Sequence, residues 1–223
     1  RRCNGKQTNI WINDYTLHIG WGMARQLNTI STGDAYEPQI AISYSGSAIA
    51  ARRQSHATGH KVWYTRYTHD TKWDAPQPIE IDHTWQAFEP QIAIHRSGSA
   101  IAVWCKSNIG INSVWASCYT PNTGWGIAQM ISGDNNANKA QVRISANGTA
   151  MAIWHQADEK AHVICTNRYR PGAGWGQAVV FKSALTGRAD LPQIAMNDSG
   201  DAIAVWQQLN GLQENILTSV YCA

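Results

Sequence analysis

Residues 90–104 read P-Q-I-A-I-H-R-S-G-S-A-I-A-V-W, two short apolar runs folded about a Ser-Gly turn. The stretch occurs four times. Gln39, Gln91, Gln141 and Gln193 open the copies, and Gly46, Gly98, Gly148 and Gly200 stand at their turns, at spacings of 52, 50 and 52 residues. Self-similarity at that period is the signature of a repeat architecture, which must be recognised before any motif is interpreted. The turn glycine has a physical reason, because a tight strand connection needs a positive φ that glycine adopts without steric cost.

Within the second copy, Ile101 and Val103 face one way while Ala102 and Trp104 face the other. Alternation at period two with β-branched residues predicts strands rather than helices. Two further series recur: Tyr15, Tyr67, Tyr119, Tyr169 and Tyr221, and Trp21, Trp73, Trp125 and Trp175 within or beside Gly-Trp-Gly. They add two more strands to each unit. In the first copy the unit reads Gln39–Ser43, Ala48–Arg53, Val62–Tyr67 and Trp73–Ile81. Four antiparallel strands in about 50 residues match a β-propeller blade. The expectation is an all-β protein, a β-propeller of about four four-stranded blades, alone or as part of a larger or oligomeric propeller. The repeats run roughly over 35–86, 87–136, 137–188 and 189–223, with 1–34 closing or flanking them.

Composition narrows the function. The 223 residues carry a formal charge of +3 and only 15% charged residues, too mild a balance to imply a nucleic-acid partner. No apolar run approaches the roughly 20 residues that cross a bilayer. Eleven Trp stand against two Phe, and their period assigns them first to packing. Low charge with abundant Trp and Asn points to an extracytoplasmic or secreted protein. The five cysteines show no C-x-x-C spacing; Cys105 and Cys118, on opposite arms of one hairpin, are either cross-strand neighbours or buried free thiols.

Residues 1–17 align with residues 207–223 at a shift of 206, which is four periods. The chain therefore carries five third strands and four of each other strand. Either the N-terminal fourth strand, Trp21 to Asn28, completes the last blade and closes the ring within one chain, or the ends serve a longer array, a homo-oligomer or strand exchange.

The loops that differ among copies share one face, and loops on a rigid scaffold are where function resides. Those leading into the inner strands carry Asp34, Tyr36 and Glu37; Trp85, Phe88 and Glu89; Asn135, Asn136 and Lys139; and Arg188 and Asp190. Aromatic rings beside carboxylates and amides suit sugars, whose C–H faces stack while hydroxyls hydrogen-bond; the alternative is that Tyr36 and Phe88 plug gaps between blades. Arg52 stands where the other copies have Trp104, Trp154 and Trp206, marking either a distinct blade interface or a functional residue. Gln39, Gln91, Gln141 and Gln193 would line the central channel as an amide girdle. The Gly-Trp-Gly residues are read as packing, with a set of repeated shallow sites as the alternative.

Catalytic signatures are sparse. His56 and His60 have metal-ligand spacing but on a loop, and no G-x-S-x-G elbow, phosphate loop or dinucleotide fingerprint is present. Neither a metal nor a cofactor is expected. Glu37 and Glu89 could do acid–base work across the channel mouth. Through P-Q-I-A…G-x-A-I-A-V-W and Y…G-W-G, the chain resembles Trp-rich tandem-repeat β-propellers, among them bacterial and fungal propeller lectins. The resemblance implies a non-enzymatic recognition module that binds a glycan. A protein-interaction scaffold is the second reading, and a hydrolase or lyase with a channel-mouth site the third.

Overall fold

The computed structural model describes residues 2–3, 7–28, 33–56, 59–80, 85–133, 136–157, 162–181 and 187–223, and all regular structure among them is β. Asn135, His83 and part of the first blade's fourth strand lie outside the described residues. The chain forms successive antiparallel sheets. The first blade pairs Ala35–Ile42, Ala48–His56 and Gly59–Thr68, with Lys72–Trp73 and Gln77–Pro78 as a broken outer strand. The second repeats this with Gln86–Ile94, Ala100–Asn108, Ile111–Thr120, Gly124–Trp125 and Gln129–Met130. The third uses Ala137–Ile144, Ala150–Ala157, His162–Arg170, Gly174–Trp175 and Val179–Val180. The fourth has Ala189–Met196, Ala202–Asn210 and Gln213–Tyr221 and, among the described residues, no outer strand.

The first strand of each blade is the inner one: those of neighbouring blades touch in series, Ala35–Ile42 with Gln86–Ile94, Gln86–Ile94 with Ala137–Ile144, and Ala137–Ile144 with Ala189–Met196. The turn glycines sit as their chemistry requires, with φ of 81°, 83°, 82° and 100° at Gly46, Gly98, Gly148 and Gly200. This is a β-propeller.

Among the described residues, the N-terminal segment does not pair with the fourth blade. Trp11–Ile12 pairs with Arg25–Gln26 and Tyr15–Thr16 with Gly20–Trp21, making the outer half of a blade that precedes the first. Ile10 and Leu27 of this half-blade pack against Ala35 and Ala50 of the first blade. An apolar patch on the neighbour it meets along the chain holds it there, and Gln213–Tyr221 stays the last strand of its sheet.

Packing between blades explains the Trp series. Trp104, Trp154 and Trp206 are 0%, 0% and 5% exposed, each filling the gap to the preceding blade. Each lies opposite a bulge in the inner strand. The register skips between Phe88 and Gln91, between Asn138 and Gln141, and between Asp190 and Gln193, so two residues face the one Trp. Tyr–Trp pairs across the third and outer strands recur as Tyr67–Trp73, Tyr119–Trp125 and Tyr169–Trp175, with ring centroids 5.4, 5.3 and 5.6 Å apart.

The cross-strand reading of Cys105 and Cys118 is corrected by the register. Cys105 faces Val114 and Cys118 faces Ile101, and Cys105, Cys118, Cys165 and Cys222 are all free thiols.

Trp104→Ala should cost about 3–5 kcal/mol of stability, because it removes a fully buried indole and leaves a cavity. Trp21→Ala, at a side chain 69% exposed, should change stability by less than about 0.5 kcal/mol. Urea denaturation of the two variants measures both.

Candidate functional site

At the channel mouth, the bulges set the geometry. Glu37, Glu89, Lys139 and Leu191 occupy one repeat position, and all are held at φ between 51° and 56°. This left-handed backbone is uncommon outside glycine. The Glu37 carboxylate accepts the backbone N–H of Glu89 at 2.7 Å, and the Glu89 carboxylate accepts that of Lys139 at 2.8 Å. The third link is a side-chain ion pair, with Lys139 Nζ 2.8 Å from Asp190. The mouth residues thus chain blade to blade. The two glutamates proposed for acid–base work are inter-blade clasps, each engaged by its neighbour's backbone.

The remaining predicted residues separate into groups. Tyr36 donates its hydroxyl to Asp34 at 2.9 Å, lies beneath the Arg53 guanidinium, and meets His60 edge-on; Arg53 also pairs with Glu37 at 3.1 Å. Phe88 is packed against the core between the second and third blades, the gap-filling alternative. Arg188 is exposed and pairs with Asp190. Gln39, Gln91 and Gln141 are half-buried and Gln193 exposed on the inner strands, and no hydrogen bond among the described residues joins them into a girdle. No cluster of three or more His, Cys, Asp or Glu among the described residues is placed to hold a metal.

Arg52 is fully buried where its counterparts are indoles. Its Nε donates to Gln54 Oε1 at 3.1 Å, as Trp154 and Trp206 do to Gln156 and Gln208. Burial lowers its pKa to about 10, and Nη2 has no partner.

Beside Asp190, His155 Nε2 lies 2.9 Å from His162 Nδ1 with the rings stacked. Burial lowers the His155 pKa. Asp190 opposes that shift, and His162, Lys139 and Arg188 reinforce it. One imidazole must accept from the other, so the contact requires a neutral partner.

A second constellation opens on the flank between the first and second blades. A groove of about 380 Å³ is lined by Ile79, Glu80, Lys106, Trp115, Trp125 and Ala128, together with Gly126 and Ile127. Lys106 and Glu80, both nearly buried, form an ion pair at 2.8 Å. The Lys106 ammonium sits 4.2 Å from the Trp115 ring centroid, in cation–π range. Trp85 meets Trp115 edge-on, 5.7 Å between centroids, so this predicted residue backs the groove rather than the mouth.

Of this group the sequence singled out Trp85 as a binding candidate and Trp125 in the Gly-Trp-Gly series, read as packing with a repeated shallow site as the alternative; a signal for the others existed. Lys106 replaces the Gln54, Gln156 and Gln208 of the other copies. Glu80 stands where they have Asn28, Ser132 and Lys182, while Trp115 keeps the indole of Trp11 and Trp63 that Cys165 and Leu217 lack. Comparing copies at the ends of the second, third and outer strands, as well as in the loops, would have found them.

No family model matches the sequence, and no curated protein matches it. Solved structures share the fold. A protein of unknown function from Dyadobacter fermentans superposes with a TM-score of 0.63 at 12% identity, over 83% of this chain and 65% of that one. A polysaccharide lyase, ulvan lyase, gives 0.57 at 12% over 88% and 57%. An endo-arabinase from Bacteroides thetaiotaomicron gives 0.51 at 10% over 92% and 82%. The chain spans less than two thirds of the first two. At these identities the likeness carries the fold, and propellers host many unrelated activities.

Two outcomes follow from the mouth. Glu89→Ala leaves the Lys139 amide without its charged acceptor and should cost about 1–3 kcal/mol in urea denaturation. The His155 pKa in the fold lies below its unfolded value of about 6.5. The unfolded chain therefore takes up the proton first, and this stability is complete above that value and lost as pH falls through the folded one. Thermal unfolding at pH 7 and pH 5 should show a loss that His155→Gln reduces.

Proposed function

We propose that the protein is a carbohydrate-recognition module whose sugar platform is the groove between the first and second blades. The observation that carries this is one groove holding two indoles, Trp115 and Trp125, beside the Lys106–Glu80 pair. An indole face packs against the C–H face of a pyranose or furanose ring. Lys106 and Glu80 put an ammonium and a carboxylate at the groove, the two kinds of hydrogen-bonding group that ring hydroxyls engage. The corresponding positions at the next junction have Cys165 for Trp115, Gln156 for Lys106 and Ser132 for Glu80. The first junction has both indoles, Trp63 and Trp73, but Gln54 and Asn28 in place of the ion pair, so the Lys106–Glu80 pair beside the indoles is particular to this junction.

Structural neighbours include an ulvan lyase and an endo-arabinase, both named as enzymes acting on polysaccharides. This supports the carbohydrate class. The non-enzymatic form of the reading is supported by the carboxylates nearest the mouth and groove. Glu37 and Glu89 hold neighbouring backbone amides and Glu80 holds Lys106, so each is committed to a structural partner. Extracytoplasmic location accompanies a glycan-binding role.

A glycan array of neutral and acidic saccharides tests the proposal. Binding should fall at least about tenfold in Trp115→Ala, the loss of one stacking contact and its desolvated edge, and persist in Trp63→Ala, its counterpart in the first blade. Equal binding by wild type and Trp115→Ala would overturn the site. Depolymerisation of a bound polysaccharide would overturn the non-enzymatic form.

A further inference from the structure

The residue just before the tyrosine of each third strand differs among the four blades: Arg66, Cys118, Arg168 and Val220. At two of the three junctions between these blades it is an arginine that reaches the tyrosine of the next blade. The Arg66 guanidinium lies over the Tyr119 ring, 5.9 Å from its centroid, and that of Arg168 lies over Tyr221 at 5.0 Å. Both contacts are in cation–π range. Arg168 Nη1 also donates to the Tyr221 hydroxyl. A guanidinium on a tyrosine is thus how this repeat fills the place between third strands.

At the junction of the second and third blades the arginine is replaced by Cys118. Its thiol meets the Tyr169 hydroxyl, and no cation among the described residues lies over the Tyr169 ring. A cleft of about 280 Å³ opens there. It is lined on the second blade by Ser99, Ile101, Cys118 and Thr120, and on the third by Ile144 and Tyr169. That is just below the roughly 300–1,000 Å³ of small-molecule sites, so the cleft takes a group of side-chain size.

The lining suits the group that the flanking junctions hold. It contains no acidic side chain, no Lys and no Arg. His95, at its edge, is held as the neutral imidazole: Nδ1 accepts the Ser97 amide at 3.2 Å, and Nε2 donates to the Ala146 carbonyl at 2.9 Å. Burial raises the Cys118 pKa, so the thiol stays protonated and does not act as a thiolate nucleophile. No positive charge in the lining opposes an incoming cation. A guanidinium has five donors and no acceptor, and it stacks on aromatic faces; the hydroxyls of Ser99, Thr120 and Tyr169 and the Tyr169 ring are partners of those kinds.

We propose that this cleft is a docking site for the guanidinium of an arginine side chain carried by a peptide or protein partner, seated where Arg66 and Arg168 sit at the flanking junctions. The incoming group stacks on Tyr169 and donates to its hydroxyl, as Arg168 does to Tyr221. The partner is a polypeptide because the repeat itself brings its guanidinium to this place on a strand. The cleft shares no residue with the sugar groove, so the two readings stand or fall separately.

Isothermal titration of the 223-residue chain tests this with three probes: a capped glycyl-arginyl-glycine peptide, the same peptide with citrulline for arginine, and ethylguanidinium. The arginine peptide should bind. The citrulline peptide keeps the shape without the charge and should bind at least about fivefold more weakly, the loss of one cation–π contact. Cys118→Arg puts the chain's own guanidinium in the cleft; it should abolish binding and leave the thermal midpoint no lower than in the wild type. Should that variant not fold, Tyr169→Leu makes the same test by removing the ring, with Tyr67→Leu, the equivalent ring of the first blade, as the control that binds normally. Absence of binding by the arginine peptide, equal binding of the arginine and citrulline peptides, or undiminished binding by folded Cys118→Arg or Tyr169→Leu would overturn the proposal. Ethylguanidinium binding as tightly as the arginine peptide would overturn the polypeptide source.

Discussion

The arrangement of blades depends on one local event, the bulge where each inner strand enters its sheet. Two residues there face a single residue of the second strand, and in three of four copies that residue is Trp. The bulge makes room for an indole to leave its own sheet and fill the wedge against the preceding blade. It also re-aims the side chain at the positive-φ position, so that Glu37 and Glu89 reach the next backbone. Burial and hydrogen bonding between blades both follow from that inserted residue. A propeller has few contacts between distant blades, so its shape is the sum of such junctions.

The repeat was legible because packing constrains every copy alike. Ala100 and Ala102 must be small, Trp104 must be large and Gly98 must take positive φ, and each requirement recurs at the same phase. The bulge was not legible. Pro38, Pro90 and Pro192 recur at the bulge, but Lys139-Ala140 takes the same backbone without proline and the positive-φ residue changes from Glu to Lys to Leu, so the series does not announce the conformation. For the same reason Glu37 and Glu89 read as free carboxylates, when their charge is spent on amides that have no side-chain signature. Arg52 was legible as a departure and settles as a buried interface residue, keeping the Trp's hydrogen bond to the Gln two residues on.

The candidate site was only half legible. Attention to the loops found Trp85 but missed the partners it touches, because Lys106, Glu80 and Trp115 come from strands of two blades that converge only after folding. A Lys in place of Gln next to a buried Trp has a specific cost. Trp104 Nε1 loses the acceptor that Trp154 and Trp206 enjoy and is left without a partner. A buried ion pair is seldom retained for stability alone, since desolvation offsets most of its attraction. A junction that loses an indole hydrogen bond and gains a desolvated pair beside an open aromatic groove is weaker as scaffold and better suited as a binding surface.

The first junction differs in the opposite sense. In place of an indole it has Arg52, and the half-blade beyond it is tied by amides: Asn28 accepts from the Ile10 amide at 2.9 Å and donates to Asn9 at 2.8 Å, while Gln26 donates to both Asn9 and Asn28. Its apolar cluster is small, Ile10 and Leu27 against Ala35 and Ala50. A guanidinium with an unsatisfied nitrogen costs free energy that an indole would not. Little apolar packing and a polar network hold this junction, whereas Trp104 and Trp154 seal the interior ones. The residue that faces the bulge thus sets how a junction is held, by burial where it is Trp and by hydrogen bonds where it is Arg.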